Sequence, residues 1–155
     1  MEICLGINVN GPAEVPLQNP DRIWGDLRDV VMGWASDAET RFRSSAGGVM
    51  TALNRFALET SRADFILQVA ASPDDVIGSD PVFIRNPEDL LTGSQSRYAP
   101  TAPLSAILKA LETSERFVVS LKPCDIAGVR NLQKTDPRAR DQIVFTQAMF
   151  CGTTP

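Results

Sequence analysis

The sequence predicts an α/β fold, a mixed and mostly parallel sheet flanked by helices, and three observations carry that expectation. Short apolar runs of strand length recur along the chain, amphipathic stretches of helical spacing alternate with them, and several runs end in a turn that opens directly into a helix. At 155 residues the chain suits one compact α/β unit rather than two.

Composition narrows the functional classes. Hydrophobic residues make up 43% and charged residues 22%, ordinary globular usage that argues against wholesale disorder. The net charge of −4, with Lys and Arg scattered, lacks the electrostatic footprint of a nucleic-acid or anionic-membrane partner. No apolar run approaches the roughly 20 residues that span a bilayer, and Met1-Glu2-Ile3-Cys4 does not open like a signal peptide, so no membrane insertion and a cytoplasmic location are expected. Histidine is absent, which removes the commonest general base and every histidine-based zinc site. The three cysteines, Cys4, Cys124 and Cys151, are too widely spaced for a CxxC pair. Any chemistry must come largely from a cofactor.

In order along the chain, residues 5 to 22 carry Gly6, Gly11, Pro12, Pro16 and Pro20 among polar residues and read as an extended connector. Asp29 to Ala35 reads as a first strand. Arg43 to Gly48 is a small-residue turn leading into a helix from Val49, with Val49, Leu53 and Phe56 on one face. Asp64 to Ala71 is a nearly continuous apolar run that belongs in the middle of the sheet. Asp80 to Arg85 is a further strand, and Asn86-Pro87-Glu88-Asp89 supplies a cap, a first-turn proline and two acids for a short helix through Leu91. Leu104, Ile107, Leu108 and Leu111 form an amphipathic stripe opened by Pro103. Phe117 to Leu121 is a buried strand, followed by the turn Lys122-Pro123-Cys124-Asp125 and a helix through Leu132. Asp136-Pro137 opens one more helical turn, and Ile143 to Phe150 is a last strand.

Three segments carry chemistry. The loop Ser44 to Gly48 offers unobstructed amides, hydroxyls and the positive end of a helix, a combination suited to a phosphate; a turn required only by close packing is the alternative. Lys122-Pro123-Cys124-Asp125 places a thiol at a helix start, where the dipole and Lys122 favour thiolate while Asp125 opposes it; the alternative is a small buried hydrophobe. Ser96-Arg97-Tyr98 groups a hydroxyl, a guanidinium and an aromatic ring able to grip a phosphate and stack on a planar ring, or else forms a solvated loop. Trp24 and Trp34 are assigned no role.

Taken in order, Ile3-Cys4-Leu5-Gly6, Ile23-Trp24-Gly25, Arg41 to Leu53, Ser96-Arg97-Tyr98-Ala99-Pro100, Lys122 to Arg130 and Phe150 to Pro155 make a chain that resembles the coenzyme F420 hydrogenase/dehydrogenase beta-subunit family. The most specific stretches are Ser-Gly-Gly-like Ser45 to Leu53, Ser96 to Pro100 and the Pro123-Cys124 turn. The resemblance implies an oxidoreductase holding FAD and [4Fe-4S] clusters, passing electrons from an iron–sulfur donor through flavin to a substrate such as coenzyme F420. It makes Ser44, Ser45, Gly47, Gly48, Thr51, Ser96, Arg97, Tyr98, Lys122 and Pro123 expected cofactor contacts. Cys151, Cys124 and Cys4 become expected metal ligands, too few for a four-cysteine cluster. Ferredoxin or hydrogenase/dehydrogenase subunits are the implied partners, with a small-molecule redox substrate. No catalytic residue is assigned. The family carries further cysteines before Cys4, where Leu5 replaces its proline, and a long segment after Cys151. The chain therefore reads as a single incomplete domain: residues 1–28 as a connector from a cluster-binding region, residues 29–155 as a flavin-binding region truncated at its C-terminus and inactive alone. A non-catalytic electron-transfer subunit and a plain nucleotide-binding domain are the rival readings.

Overall fold

The structure is a computed structural model and describes residues 20–21, 25–26 and 29–151. Two short strands, β1 (Pro20–Asp21) and β2 (Gly25–Asp26), pair antiparallel. The rest of the connector expected over residues 5 to 22, and Cys4, lie outside the described residues.

From Ala38 onward the chain runs through α1 (Ala38–Arg43), α2 (Val49–Glu59), β3 (Phe65–Ala71), β4 (Ser79–Ile84), α3 (Ile107–Glu112), β5 (Phe117–Leu121), α4 (Pro123–Thr135), α5 (Pro137–Gln142) and β6 (Ile143–Ala148). Single 3₁₀ turns span Pro87–Gly93 and Pro103–Ala106. The main sheet has the order β4-β3-β5-β6. β3, β5 and β6 run parallel, and β4 joins the β3 edge antiparallel. The expected mixed, mostly parallel sheet is therefore the one found. Its central strands are apolar because both faces are covered: all five residues of β5 are buried.

On one face Phe65, Leu67, Val119 and Leu121 pack under α3, α4 and α5 through Ile107, Leu111, Val129 and Ala139. Phe65 stacks on Phe117 with ring centroids 4.8 Å apart. Each of these fully buried side chains contributes about 1.5–3 kcal/mol relative to exposure. On the other face Ile66, Val118 and Ile84 meet Ala57, Ala63 and Leu90, brought by α2 and the 87–93 turn.

Two local expectations are corrected and one is made more specific. Residues 29–35 form no strand; Val30, Val31, Met32 and Trp34 are exposed and only Ala35 is buried. The run has strand-like composition but no strand pairs with it among the described residues, and Ala35 is held by its N–H donating to the Gly47 carbonyl (2.8 Å). Val49, Leu53 and Phe56 of α2 do share one face, as expected, and the structure shows that this face points outward while Thr51, Asn54 and Ala57 face the sheet. Asn86 caps nothing; its side-chain amide donates to Asp89 instead (3.2 Å).

The turn Ser45–Gly48 is where backbone conformation decides. Ala46, Gly47 and Gly48 follow one another at φ of 49°, 72° and 75°, so three consecutive residues are left-handed. Ala46 bears about 1–2 kcal/mol for this, and the glycines relieve it at the next two positions. Gly48 has a second reason to be glycine, since a Cβ there would stand 3.0 Å from the Thr40 carbonyl oxygen and 3.3 Å from the Ala35 Cβ. Gly48→Ala is expected to cost about 1–3 kcal/mol in urea unfolding. Gly33→Ala, where a Cβ meets nothing within 4 Å, is expected to be near neutral.

Carboxylates fasten the periphery. Asp37 caps α1 by accepting from the Thr40 N–H (2.7 Å). Asp136 caps α5 through the Arg138 N–H (2.9 Å) and also grips its guanidinium. Glu115 holds Arg85 in a two-point bridge (2.8 and 2.7 Å). These bonds favour the ionised forms: the Thr40 N–H keeps Asp37 below its ordinary value, as Arg138 does for Asp136 and Arg85 for Glu115. Groups depressed in the folded state add stability above their unfolded pKa that disappears as pH falls through the folded one. Glu115→Gln is therefore expected to be less stable than the parent at neutral pH and to converge with it as the pH falls through the depressed pKa of that carboxylate; a gap that stays constant in urea melts from neutral to acid pH contradicts this.

Candidate functional site

In open α/β sheets ligands gather beyond the carboxyl ends of the parallel strands, which makes that edge the candidate site. α2 precedes β3 and runs back along the sheet, and α4 follows β5 directly. Both helices therefore present their N-termini at the carboxyl ends of the parallel strands, α2 on one face and α4 on the other. Positive helix ends at this edge of an open α/β sheet make an anion seat.

The turn before α2 meets the Ser96-Arg97-Tyr98 segment there. The Ser45 N–H donates to the Ser94 carbonyl (3.0 Å), and the Ser45 Oγ accepts from the Ser96 N–H (2.8 Å). The Ser94 hydroxyl and the Gln95 amide both reach the Arg43 carbonyl (3.2 and 3.4 Å). Two segments about fifty residues apart in sequence thus lie side by side. Arg97 extends this contact to the start of β4: its Nε donates to the Ser79 Oγ (3.1 Å) and its Nη2 to the Gly78 carbonyl (2.8 Å). Tyr98 is exposed, its ring unburied beside the loop.

The donor set suits an anion. Gly48 occupies the cap position of α2 and has no side chain to satisfy the first-turn amides. The Ser45 hydroxyl accepts from Ser96 and keeps its own proton to donate. Arg97 uses Nε and Nη2 on the protein, leaving Nη1. Thr51 and Ser44 are turned toward each other, the Ser44 hydroxyl donating to the Thr51 Oγ1 (3.4 Å), and Thr51 is buried.

Lys122, Pro123 and Cys124 stand at the start of α4, with the Lys122 ammonium 3.6 Å from Asp125. Burial pushes the Asp125 carboxyl up, against the pull of Lys122. Cys124 and Cys151 are free, exposed thiols. Among the described residues no hydrogen bond joins the 122–125 turn to Ser45–Gly48. Nor does any group of three or more Cys, His, Asp or Glu there stand together as a metal-binding set. A separate concavity of about 250 Å³ between α3 and α4 is lined by Leu104, Ile107, Leu108, Gly128, Val129 and Leu132. Being apolar, it offers an anion nothing. Among the described residues no helix is long and apolar enough to cross a membrane.

One set of site residues escaped sequence reasoning. Gln68, Ser120 and Gln147 each interrupt an apolar strand, and all three gather around Asn54 of α2. Polar residues inside three otherwise apolar strand-like runs were the available signal.

Comparisons with known proteins identify the family and the fold. The chain is 27% identical over 121 residues to the F420-dependent formate dehydrogenase 1 subunit beta of Methanococcus maripaludis, covering 78% of this chain and 31% of that protein. It is 34% identical over 97 residues to the coenzyme F420-dependent sulfite reductase of Methanocaldococcus jannaschii, covering 62% of this chain and 15% of that protein. A chain in the structure of the xenon-derivatised F420-reducing [NiFe] hydrogenase complex of Methanosarcina barkeri superposes with a TM-score of 0.68 at 28% identity, covering 76% of this chain and 42% of that one. The chain thus spans less than half the length of these relatives. Residues 30–109 match the coenzyme F420 hydrogenase/dehydrogenase beta subunit N-terminal family and residues 114–155 its C-terminal counterpart; this protein belongs to the coenzyme F420 hydrogenase/dehydrogenase beta-subunit family.

Proposed function

We propose that the protein is a cofactor-holding part of an F420-linked oxidoreductase, with FAD seated where the Ser45–Gly48 turn meets Ser96-Arg97-Tyr98. The observation that carries this is the pair of hydrogen bonds from Ser45 to residues 94 and 96, which places a helix N-terminus, a hydroxyl and a guanidinium at one sheet edge. The first-turn amides of α2, the Ser45 hydroxyl and the spare Arg97 nitrogen would hold the pyrophosphate, and the exposed Tyr98 ring would lie against a planar part of the ligand. When bound, the flavin supplies hydride and single-electron chemistry. The protein's part is to bind and orient: the left-handed turn aims amides at the phosphates, and Arg97 neutralises charge while staying tethered to β4.

Coenzyme F420 is the proposed substrate, and hydrogenase or dehydrogenase subunits or a ferredoxin the proposed electron partners. The relatives' names support the F420 part of this reading and their complexes the subunit part. The described residues do not make a [4Fe-4S] site. They offer two exposed thiols where such a cluster takes four, so no electron route through a cluster is assigned to them.

Titrating the 155-residue chain with FAD, followed by flavin fluorescence, is expected to show saturable binding at one site. Ser45→Ala and Arg97→Gln are each expected to weaken it by about tenfold, the loss of one charge-assisted hydrogen bond. Absence of saturation, or binding indifferent to both substitutions, contradicts the proposal. Equal affinity for ADP and FAD would instead favour a plain nucleotide-binding domain.

A further inference from the structure

The inner face of α2 is held by hydrogen bonds where an apolar contact would be the ordinary solution. Asn54 sits at the hub and is 2% exposed. Its Oδ1 accepts from the Ser120 hydroxyl (2.9 Å) and from the Gln147 side-chain amide (2.7 Å), and its Nδ2 donates to the Gln68 Oε1 (3.3 Å). The three partners stand in one row across the sheet: Ser120 pairs with Gln147, and Gln68 follows the paired Leu67 on β3. All three are more than nine-tenths buried.

The network reaches both halves of the seat. The Gln147 amide also donates to the Met50 carbonyl in the first turn of α2 (3.1 Å). At the other end the Gln68 amide donates to the Leu90 carbonyl (3.4 Å), inside the turn that leads to Ser94. There Gly93 approaches so closely that a Cβ would stand 2.5 Å from the Gln68 Nε2 and 2.6 Å from the Val69 carbonyl oxygen. One continuous set of side chains therefore connects the first turn of α2, three neighbouring strands and the 87–93 turn that precedes the loop supplying Arg97.

We propose that Asn54, Gln68, Ser120 and Gln147 are positioning residues that fix the register of the α2 first turn against the 87–98 segment. The inference rests on reading that junction as the cofactor seat. Apolar side chains of the same volume would bury as well, and replacing buried polar groups by them is often neutral or stabilising. The Gln147 Oε1 is moreover buried without a partner, which a core built only for stability avoids. What the network provides is direction: hydrogen bonds fix both the rotation and the axial position of a helix, whereas greasy contacts tolerate sliding. The outward Val49, Leu53 and Phe56 stripe leaves α2 with few apolar contacts to do this otherwise.

The test compares Gln147→Met, which keeps length and loses the bonds, with Val118→Ala, an apolar deletion on the same sheet face. Three readouts are needed on the 155-residue chain: Tm, FAD affinity and amide hydrogen exchange by segment. Gln147→Met is expected to shift Tm less than Val118→Ala does, yet to speed exchange about tenfold over residues 45–53 and weaken FAD by a similar factor. Val118→Ala is expected to lower Tm without that local signature. Uniform acceleration tracking Tm in both variants, unchanged exchange over 45–53, or unchanged FAD affinity beside accelerated exchange overturns the proposal. If the parent binds no FAD while Gln147→Met still loosens 45–53 selectively, the positioning inference stands and the flavin reading falls. Should Gln147→Met fail to fold, Ser120→Ala, which removes a single hydroxyl, is read by the same criteria.

Discussion

The contact between the Ser45 side chain and the Ser96 backbone is the constraint on which the site depends. Neither segment could make an anion seat alone: the glycine turn has amides but no cation, and the 94–98 loop has a guanidinium but no helix behind it. Their meeting follows from topology. α2 must run antiparallel to β3, and the antiparallel β4 starts beside the carboxyl end of β3, so the turn before α2 and the residues that Arg97 grips come to the same edge.

Backbone strain and close packing serve the same end. Ala46 sits in the left-handed region at its own cost, and Gly48 is wedged against α1 and Ala35. Such a turn is over-determined by its surroundings, and that keeps amides fixed before a ligand arrives. The reversed orientation of α2 belongs to this economy. Its apolar stripe points out while Thr51 and Asn54 face the sheet beside Ala57, so the helix end proposed to bind is located by directed bonds.

Much of the fold was legible in the sequence because its signals were local. The buried strands at Phe65–Ala71 and Phe117–Leu121 announced themselves by continuous apolar runs, and the α4 start by Pro123 after a strand. The turn ahead of α2 was visible from its glycines, and its convergence with Ser96-Arg97-Tyr98 was expected; the structure adds the direct Ser96–Ser45 hydrogen bond that closes them. What was not legible depended on distant partners. The 29–35 run looks like a strand but pairs with none among the described residues, and α1 is only six residues with Phe42 exposed, so no apolar periodicity marks it. The direction in which the α2 stripe points was not legible, because periodicity counts hydrophobic residues and is blind to Asn54 finding partners on three strands.

Chemical-shift mapping of backbone amides while ADP or FAD is added tests most directly whether these two segments form one seat. The largest shifts are predicted at residues 45–51 and 94–98 together, moving with a common dissociation constant. Shifts concentrated instead around Leu104, Ile107 and Val129, or confined to only one of the two segments, would contradict a shared seat at the carboxyl edge of the sheet.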